Sequence, residues 1–146
     1  MIPLFGQPDA GGARDVLEGR LITTALRLLQ LGVPAVLDFG FWSRNERSAL
    51  RWLAGSVGAT ATVIRLNVEE DTQWRRVERR YSATPEQTFP LTRDELAGYR
   101  AQFEPPDAAE LTGGPVPDPP GGTDWATWAA SRWPSLSAPA TSPRST

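Results

Sequence analysis

The sequence predicts an α/β fold, with a small parallel sheet, flanking helices in three layers and a helical lid. Helical and extended patterns alternate along the chain, which is typical of a parallel sheet covered by helices. The extended segments are short continuous apolar runs, as expected of strands buried on both faces. Only two such runs are clear, and parallel sheets usually contain more strands. The pattern therefore indicates an α/β domain that lacks a piece.

The first half of the chain contains both predicted strands. A helix over 14–31 is predicted by an inward-facing apolar stripe at helical spacing, formed by Leu17, Leu21, Ala25, Leu28 and Leu29. Gly32 is suited to end this helix. The runs PAVLDF at 34–39 and TVIRLNV at 62–68 follow as the predicted strands. Both are expected to be buried in the centre of the domain.

Two capping boxes predict where further helices begin. Ser43 is followed three residues later by Glu46, and Thr92 is followed by Glu95. In this motif each partner satisfies a backbone N–H group of the other at the helix N-terminus. The first box predicts a helix that continues to about Ser56.

A third helix is predicted over 72–81, after the acidic residues 69–71 that favour a helix N-terminus. Its apolar residues include Trp74, which is expected to pack in the core. Further along, tryptophans at 125, 128 and 133 indicate a short docking helix. Domain boundaries are predicted at 1–133, with a disordered tail over 134–146.

Three residue types are absent, and their absence limits the chemistry. The 146 residues contain no His, no Cys and no Lys, so all 15 basic residues are Arg. These residues therefore contain no histidine general base, no thiol nucleophile and no lysine for a phosphate-binding loop. The net charge of −2 predicts no strong nucleic-acid-attracting field. No apolar run is long enough for a membrane span, and a cytoplasmic location is expected.

Asp38 and Gly40 are candidate substrate-binding residues. They lie at the carboxyl end of the first predicted strand, where ligands bind in open α/β sheets. A carboxylate there is suited to orient a substrate hydroxyl or to hold a magnesium-bound water. The alternative is a structural Asp satisfied by nearby backbone N–H groups.

Four arginines follow the second predicted strand. Arg75 and Arg79 form one i, i+4 row, and Arg76 and Arg80 form another. Guanidinium groups suit phosphate recognition, and a mobile lid could carry them. The alternative is a solvated face whose arginines pair with the acidic residues of the same helix.

Taken together, these segments resemble the P-loop kinase-like ATP-binding proteins, an AAA-type group similar to zeta toxins, chloramphenicol phosphotransferase and the kinase domain of polynucleotide kinase. The resemblance rests on VLDFGFWSRNER at 36–47, WRRVERR at 74–80 and FEPPDAAEL at 103–111. It implies that Asp38, Gly40 and Arg44 contact substrate. It also implies that Arg80, with Arg76, is a catalytic lid arginine that neutralises the transferring phosphate.

The chain departs from this family at its beginning. The family's glycine-rich loop with Lys and its acidic base are not found, and residues 1–7 resemble sequence that follows that acidic turn. Met1 is therefore expected to be an internal methionine of a longer parent. A mis-assigned start, a degraded gene and a true short product remain open.

The function expected from the sequence is that of an ATP-binding, phosphotransferase-like protein without its phosphate-binding loop, inactive or weakly active as this chain. ATP and Mg²⁺ are the implied cofactors of a complete parent. The phosphoacceptor is an unidentified small molecule or polynucleotide. The alternative is a non-catalytic interaction module that uses an exposed sheet edge and the C-terminal tryptophans.

Overall fold

The computed structural model describes residues 12–137. Over that range the chain forms six α-helices and one short 3-10 turn. They are α1 (Ala13–Gln30), α2 (Arg44–Ser56), α3 (Glu70–Ala83), α4 (Arg93–Gln102), α5 (Ala108–Leu111), the turn Pro120–Gly122 and α6 (Trp125–Arg132). The expectations for residues 1–7 and for most of the tail over 134–146 lie outside the described residues.

The predicted parallel sheet is wrong. No strand and no isolated bridge forms within residues 12–137, and both apolar runs, 34–39 and 62–68, are irregular. Val36, Ile64 and Leu66 are 92%, 80% and 81% exposed. A strand is defined by backbone hydrogen bonds to a neighbour, and neither run finds such a neighbour in the described chain. The regular elements of residues 12–137 are all helical, so the predicted α/β fold is wrong.

The chain divides into two compact units. Within the described residues, one comprises 12–14 and 65–104, and we call it the arginine-helix unit. The other comprises residues 15–64 and 105–137, and we call it the core unit. The core unit holds nearly all of α1, together with α2, α5 and α6.

The core unit is built around one apolar cluster contributed by α1, α2 and the C-terminal segment. Its buried members are Ile22, Leu26, Ala49, Leu53, Trp125, Ala129 and Trp133. Leu37 and Phe39 of the first apolar run pack against this cluster. These two side chains are half-buried and the other residues of the run are exposed, so the run is not enclosed on both faces.

Helix α1 begins and ends close to the predicted positions, but its buried face differs from the predicted one. Leu21 and Leu28 were expected to face inward, yet they are 42% and 36% exposed. Its C-terminus is closed by Gly32 at a φ of +76°. The Gly32 and Val33 amides donate to the Leu29 and Leu28 carbonyls, at 3.0 and 2.9 Å. This is the Schellman pattern that the glycine predicts.

The C-terminal tryptophans form part of the core, so they do not constitute an exposed patch. Trp125 and Trp133 are buried, and each makes an edge-to-face contact with Trp128. The indole N–H of Trp133 donates to the Glu18 carboxylate at 3.2 Å, and that of Trp125 donates to the Pro117 carbonyl at 2.9 Å. The predicted short helix is confirmed as α6, whereas the partner-binding tryptophan patch of the alternative interpretation is not exposed at Trp125 and Trp133.

The arginine-helix unit has a much smaller core. Helix α3 has no buried residue, and Leu96 is the buried residue of α4. Trp74 was expected in the core, but it is only half-buried beneath the guanidinium of Arg93, which lies 5.4 Å from its ring centroid. A loss of about 3–5 kcal/mol, which applies to a fully buried Trp changed to Ala, is therefore too large for this residue.

Two helix glycines provide a matched test of packing in the core unit. A Cβ on Gly19 would lie 2.6 Å from Ser135 Oγ and 2.9 Å from the Leu136 amide nitrogen, whereas a Cβ on Gly55 meets nothing within 4 Å. Gly19→Ala is expected to destabilise the protein by about 1–3 kcal/mol through overpacking. Gly55→Ala is expected to stabilise it by about 0.5–1 kcal/mol. Urea unfolding measures both, and equal effects would show that α1 does not approach the C-terminal segment this closely.

Candidate functional site

The loop before α2 is held by one carboxylate. Glu46 Oε2 accepts hydrogen bonds from the Trp42 and Ser43 amides at 2.9 and 3.0 Å. Its other oxygen, Oε1, accepts from Arg132 Nε at 2.8 Å. The capping box predicted here is confirmed. Glu46 therefore fixes both the start of α2 and the position of α6.

Arg132 continues this network to α1. Its Nη1 lies 2.6 Å from Asp15 Oδ1, and its Nη2 lies 2.8 Å from Glu46 Oε1. Partial burial alone would lower the pKa of Arg132, but the hydrogen bonds and charges of Asp15 and Glu46 outweigh burial and raise it. One guanidinium thus joins α1, α2 and α6.

A second, fully buried pair fixes the other side of the same loop. Arg47 Nε and Nη2 donate to the two Glu110 carboxylate oxygens at 2.7 and 3.2 Å. Arg47 Nη1 also donates to the Phe41 and Trp42 carbonyls at 3.3 and 3.4 Å. A bidentate pair with these extra bonds satisfies a charge that would otherwise be costly to bury. The loop backbone from Phe41 to Ser43 is therefore bonded on both sides.

Arg44 forms an ion pair at the surface beside this loop. Its Nη2 lies 2.7 Å from Asp107 Oδ2, and both side chains are about half-exposed. The pKa of the Asp107 carboxyl is lowered, first by the hydrogen bond from the Glu110 amide and then by the charges of Arg44 and Arg51. An anionic ligand at Arg44 would therefore compete with Asp107.

Asp38 and Gly40 directly precede the hydrogen-bonded backbone of residues 41–43. Both residues are exposed. Phe39 and Phe41 on either side of Gly40 pack against the core, with ring centroids 5.4 Å apart. The aromatic side chains thus anchor the segment, and the Asp38 carboxylate is accessible to a solute.

In the arginine-helix unit, the acidic end of α3 is bonded to α4. Arg93 pairs with Asp71 at 3.3 Å. Arg100 donates to Gln73 Oε1 at 2.6 Å and approaches Glu70 at 4.0 Å. Glu70 and Asp71, which the alternative interpretation pairs with the arginine rows of α3, thus contact arginines of α4.

The arginines of α3 itself are accessible. Arg75, Arg76, Arg79 and Arg80 are all exposed. Arg75 donates to Thr72 Oγ1 at 2.9 Å, and within residues 12–137 no carboxylate forms an ion pair with any of the four. At 100° per residue they span an arc of about 140° of the helix surface. We call this surface the arginine arc.

The predicted site residues fall into both units. Asp38, Gly40 and Arg44 belong to the core unit, where the fixed loop brings them onto one segment. Arg76 and Arg80 belong to the arginine-helix unit, where they share one row of α3. The roles assigned to these residues stay predictions.

Sequence reasoning missed the residues that build the loop. Glu46 was identified only as a helix cap, and Arg47, Glu110 and Arg132 were not singled out. Arg47 is 63 residues from Glu110, and Glu46 is 86 residues from Arg132. Arg47, a charged residue on the inward face of α2, was the available signal. Buried charges are almost always paired, so it indicates an acidic partner elsewhere in the chain.

Comparison with known protein families shows to which family the chain belongs. Residues 6–106 match the family described as AAA domain. The chain belongs to this AAA domain family, a P-loop NTPase-like family associated with nucleotide binding. No curated protein and no solved structure matches the chain.

The match contains all the predicted site residues of this AAA domain and ends just before Asp107. Asp107, Glu110 and Arg132, which pair with α2, therefore lie beyond it. In the part of the chain that the structure describes, no group of three or more carboxylates or other metal-binding side chains is placed to hold a metal ion. No helix there is long and apolar enough to cross a bilayer.

Ser43, the N-cap of α2, and Ser48 within the helix test the capping network. Ser43 Oγ accepts from the Glu46 amide at 3.2 Å, whereas the buried Ser48 hydroxyl has no hydrogen-bond partner. Ser43→Ala is expected to lower the free energy of unfolding by about 1 kcal/mol. Ser48→Ala is expected to leave it unchanged or to raise it, because no bond is lost. Denaturant titration compares the two, and a larger loss for Ser48→Ala would contradict the hydrogen bonding described here.

The Arg44–Asp107 pair makes a prediction about titration. Since the folded state lowers the pKa of Asp107, this group stabilises the fold above its unfolded pKa, and the stabilisation is lost as pH falls through the lower folded value. Arg44→Gln should raise the pKa of Asp107 without restoring it fully, because the Glu110 amide still donates. Side-chain NMR titration measures this shift, with Arg20→Gln as a control on α1. An unchanged pKa would show that the pair does not persist in solution.

Proposed function

We propose that this AAA domain is a nucleotide-binding, phosphotransferase-like protein in which arginine, and not lysine, supplies the positive charge at the phosphates. Membership of a P-loop NTPase-like family supports the proposal that the chain binds a nucleotide. The observation that carries the proposal is the arginine arc, because its guanidinium groups are exposed and free of carboxylate pairs in the described chain.

Arg76 and Arg80 are proposed to contact the transferring phosphate. They form one i, i+4 row on α3, so both side chains project from the same strip of the helix. Phosphoryl transfer is accelerated chiefly by fixed positive charge at the phosphate oxygens. Arginine suits this role because its planar donors pair bidentately with phosphate.

Asp38, Gly40 and Arg44 are proposed to bind the phosphoacceptor. The Asp38 carboxylate is exposed and can accept a hydrogen bond from a substrate hydroxyl. Arg44 is suited to a substrate anion that displaces Asp107 from it. The loop held by Glu46 and Arg47 supplies the rigidity that such positioning requires.

ATP with Mg²⁺ is the proposed cofactor of a complete parent, where the metal would neutralise charge on the phosphates. The side chains present are better suited to bind phosphates than to bind the metal ion. The arc offers guanidinium groups for phosphate oxygens, whereas Asp38 offers a single carboxylate for the metal. With no lysine in the 146 residues, the standard loop contact to the outer phosphates is missing. We therefore propose weak nucleotide binding and low or no activity for this chain.

A second proposal is a non-catalytic interaction module, and the exposed apolar residues favour it. Val36, Ile64 and Leu66 expose most of their surface, which is unusual for β-branched and leucine side chains unless a partner covers them. The tryptophans no longer support this alternative, because Trp125 and Trp133 are buried.

Calorimetric titration with Mg²⁺-ATP tests the first proposal. Binding weaker than micromolar is expected, and Arg76→Gln/Arg80→Gln should abolish it. Arg20→Gln/Arg27→Gln, which removes the same charge from exposed positions on α1, should leave it unchanged. Micromolar affinity that depends on magnesium would contradict the proposal that ATP binds weakly because the phosphate-binding loop is missing.

Absence of any ATP binding, together with self-association that Val36→Thr/Leu66→Thr reduces in analytical ultracentrifugation, would favour the interaction module. Both outcomes are read on the intact chain. The two proposals therefore make opposite predictions for the same preparations.

A further inference from the structure

Three arginines on one face of α2 contact the segment 107–114 in order. Each contact joins residues that are 63 positions apart, and the three pairs are Arg44–Asp107, Arg47–Glu110 and Arg51–Gly114. The arginines span an arc of about 60° on the helix. The first two face carboxylates, whereas Arg51 donates to the Gly114 carbonyl. The third arginine therefore meets no negative charge at the position where the other two do.

Arg51 is a buried cation with an unpaired donor. Only 7% of the residue is exposed, and no carboxylate of residues 12–137 forms an ion pair with it. Its Nη1 is buried without a hydrogen-bond partner in the described chain, as is the hydroxyl of Ser48. Ser48 follows Arg44 by four residues and precedes Arg51 by three, so the three side chains share one face of α2. Since a buried charge is costly unless it is paired, this face favours an anion.

Two guanidinium groups act on the Asp107 carboxylate at the edge of this face. Arg44 Nη2 lies 2.7 Å from Asp107 Oδ2, and both side chains are about half-exposed. The pKa of Asp107 is lowered first by the hydrogen bond from the Glu110 amide, and the charges of Arg44 and Arg51 add to this effect. One negative charge thus serves two cations, at a position that a solute can reach.

A phosphate group fits this position better than a second carboxylate does. Asp107 is part of the chain, so an external monocarboxylate would compete with it at a lower effective concentration and with no more charge. A phosphate group carries a charge of about −1.5 to −2 at pH 7 and has three strong acceptor oxygens. It can therefore accept from Arg44, Arg51 and the Ser48 hydroxyl together, and guanidinium groups are suited to phosphate.

We propose that Arg44, Ser48 and Arg51 form a phosphate-binding site in the core unit, and that Asp107 is an internal carboxylate which the phosphate displaces. The ligand is inorganic phosphate or the phosphate of a monoester. A phosphate monoester bound here would be a phosphoacceptor that already carries one phosphate, and this last step alone rests on the proposed function. The site itself requires neither ATP nor the arginine arc.

Calorimetric titration of the intact chain with inorganic phosphate, at constant ionic strength, tests the site. Arg51→Met should weaken binding roughly tenfold to a hundredfold, as expected for one lost hydrogen bond from a charged donor. Asp107→Asn should strengthen binding several-fold, because the competing charge is removed while an oxygen remains for the Glu110 amide that bonds Asp107 Oδ1. The matched control Arg20→Gln/Arg27→Gln, which removes exposed charges of α1, should bind like the unmodified protein.

Thermal unfolding gives a second readout that does not depend on heat of binding. Phosphate should raise the Tm of the unmodified protein more than sodium chloride of equal ionic strength does, by mass action on the folded state. Arg51→Met should lose this difference. Without phosphate its Tm should be no lower than that of the unmodified protein, because the methionine removes an unpaired buried charge.

Two titrations separate this site from other phosphate contacts. Phosphate binding that survives Arg51→Met but is lost in Arg76→Gln/Arg80→Gln would place the ligand on the arginine arc and overturn the proposal. Weaker binding by Asp107→Asn would also overturn it, because Asp107 would then be no competitor. Absence of phosphate binding by the unmodified protein, with a higher Tm for Arg51→Met, would show that Arg51 meets only water.

Titration with glycerol 2-phosphate distinguishes the two sources of the ligand. Binding at least as tight as that of inorganic phosphate supports an acceptor that carries a phosphate monoester, whereas binding of inorganic phosphate alone overturns that step. The ATP titration reads the arginine arc separately. Loss of ATP binding with retained phosphate binding would therefore refute the proposed function and leave this site intact.

Discussion

The arrangement of the core unit depends on the Glu46 carboxylate. It accepts from the Trp42 and Ser43 amides with one oxygen and from Arg132 with the other. The first set of bonds satisfies donors that every helix leaves open at its N-terminus. The second ties that N-terminus to α6, and Arg132 extends the connection to Asp15 on α1. A local capping residue is thereby also the point at which three helices meet.

The neighbouring Arg47–Glu110 pair has a different physical role. Both side chains are buried. Replacing a buried ion pair by apolar groups is often neutral or stabilising, so the pair does not by itself indicate a gain in folding stability. The pair instead restricts the geometry of the neighbouring loop backbone. The guanidinium must reach the Glu110 carboxylate and two loop carbonyls together, which allows few arrangements of the Phe41–Trp42 backbone. The loop that carries Asp38, Gly40 and Arg44 owes its shape to this restriction.

The features that were predictable from sequence are those that are encoded within a few residues. Both capping boxes and Gly32 were identified correctly, because each partner lies within five positions of the other. The sheet was predicted wrongly for the opposite reason. An apolar run such as 34–39 indicates that a segment could pair, but pairing requires a neighbour that the run does not encode. The partners of Glu46 and Arg47, more than 60 residues away, were beyond local patterns in the same way.

The arginines show how far position determines the role of a single residue type. Arg47 and Arg132 are held by carboxylates in the core unit, and Arg93 and Arg100 hold the acidic side of α3. Because α4 engages Glu70 and Asp71, the opposite side of α3 is left with cations that have no acidic partner in the described residues. An arginine cannot shed its charge at any physiological pH. The uncompensated charge of the arc is therefore a permanent property of this helix, and it persists until an anion from outside the unit binds there.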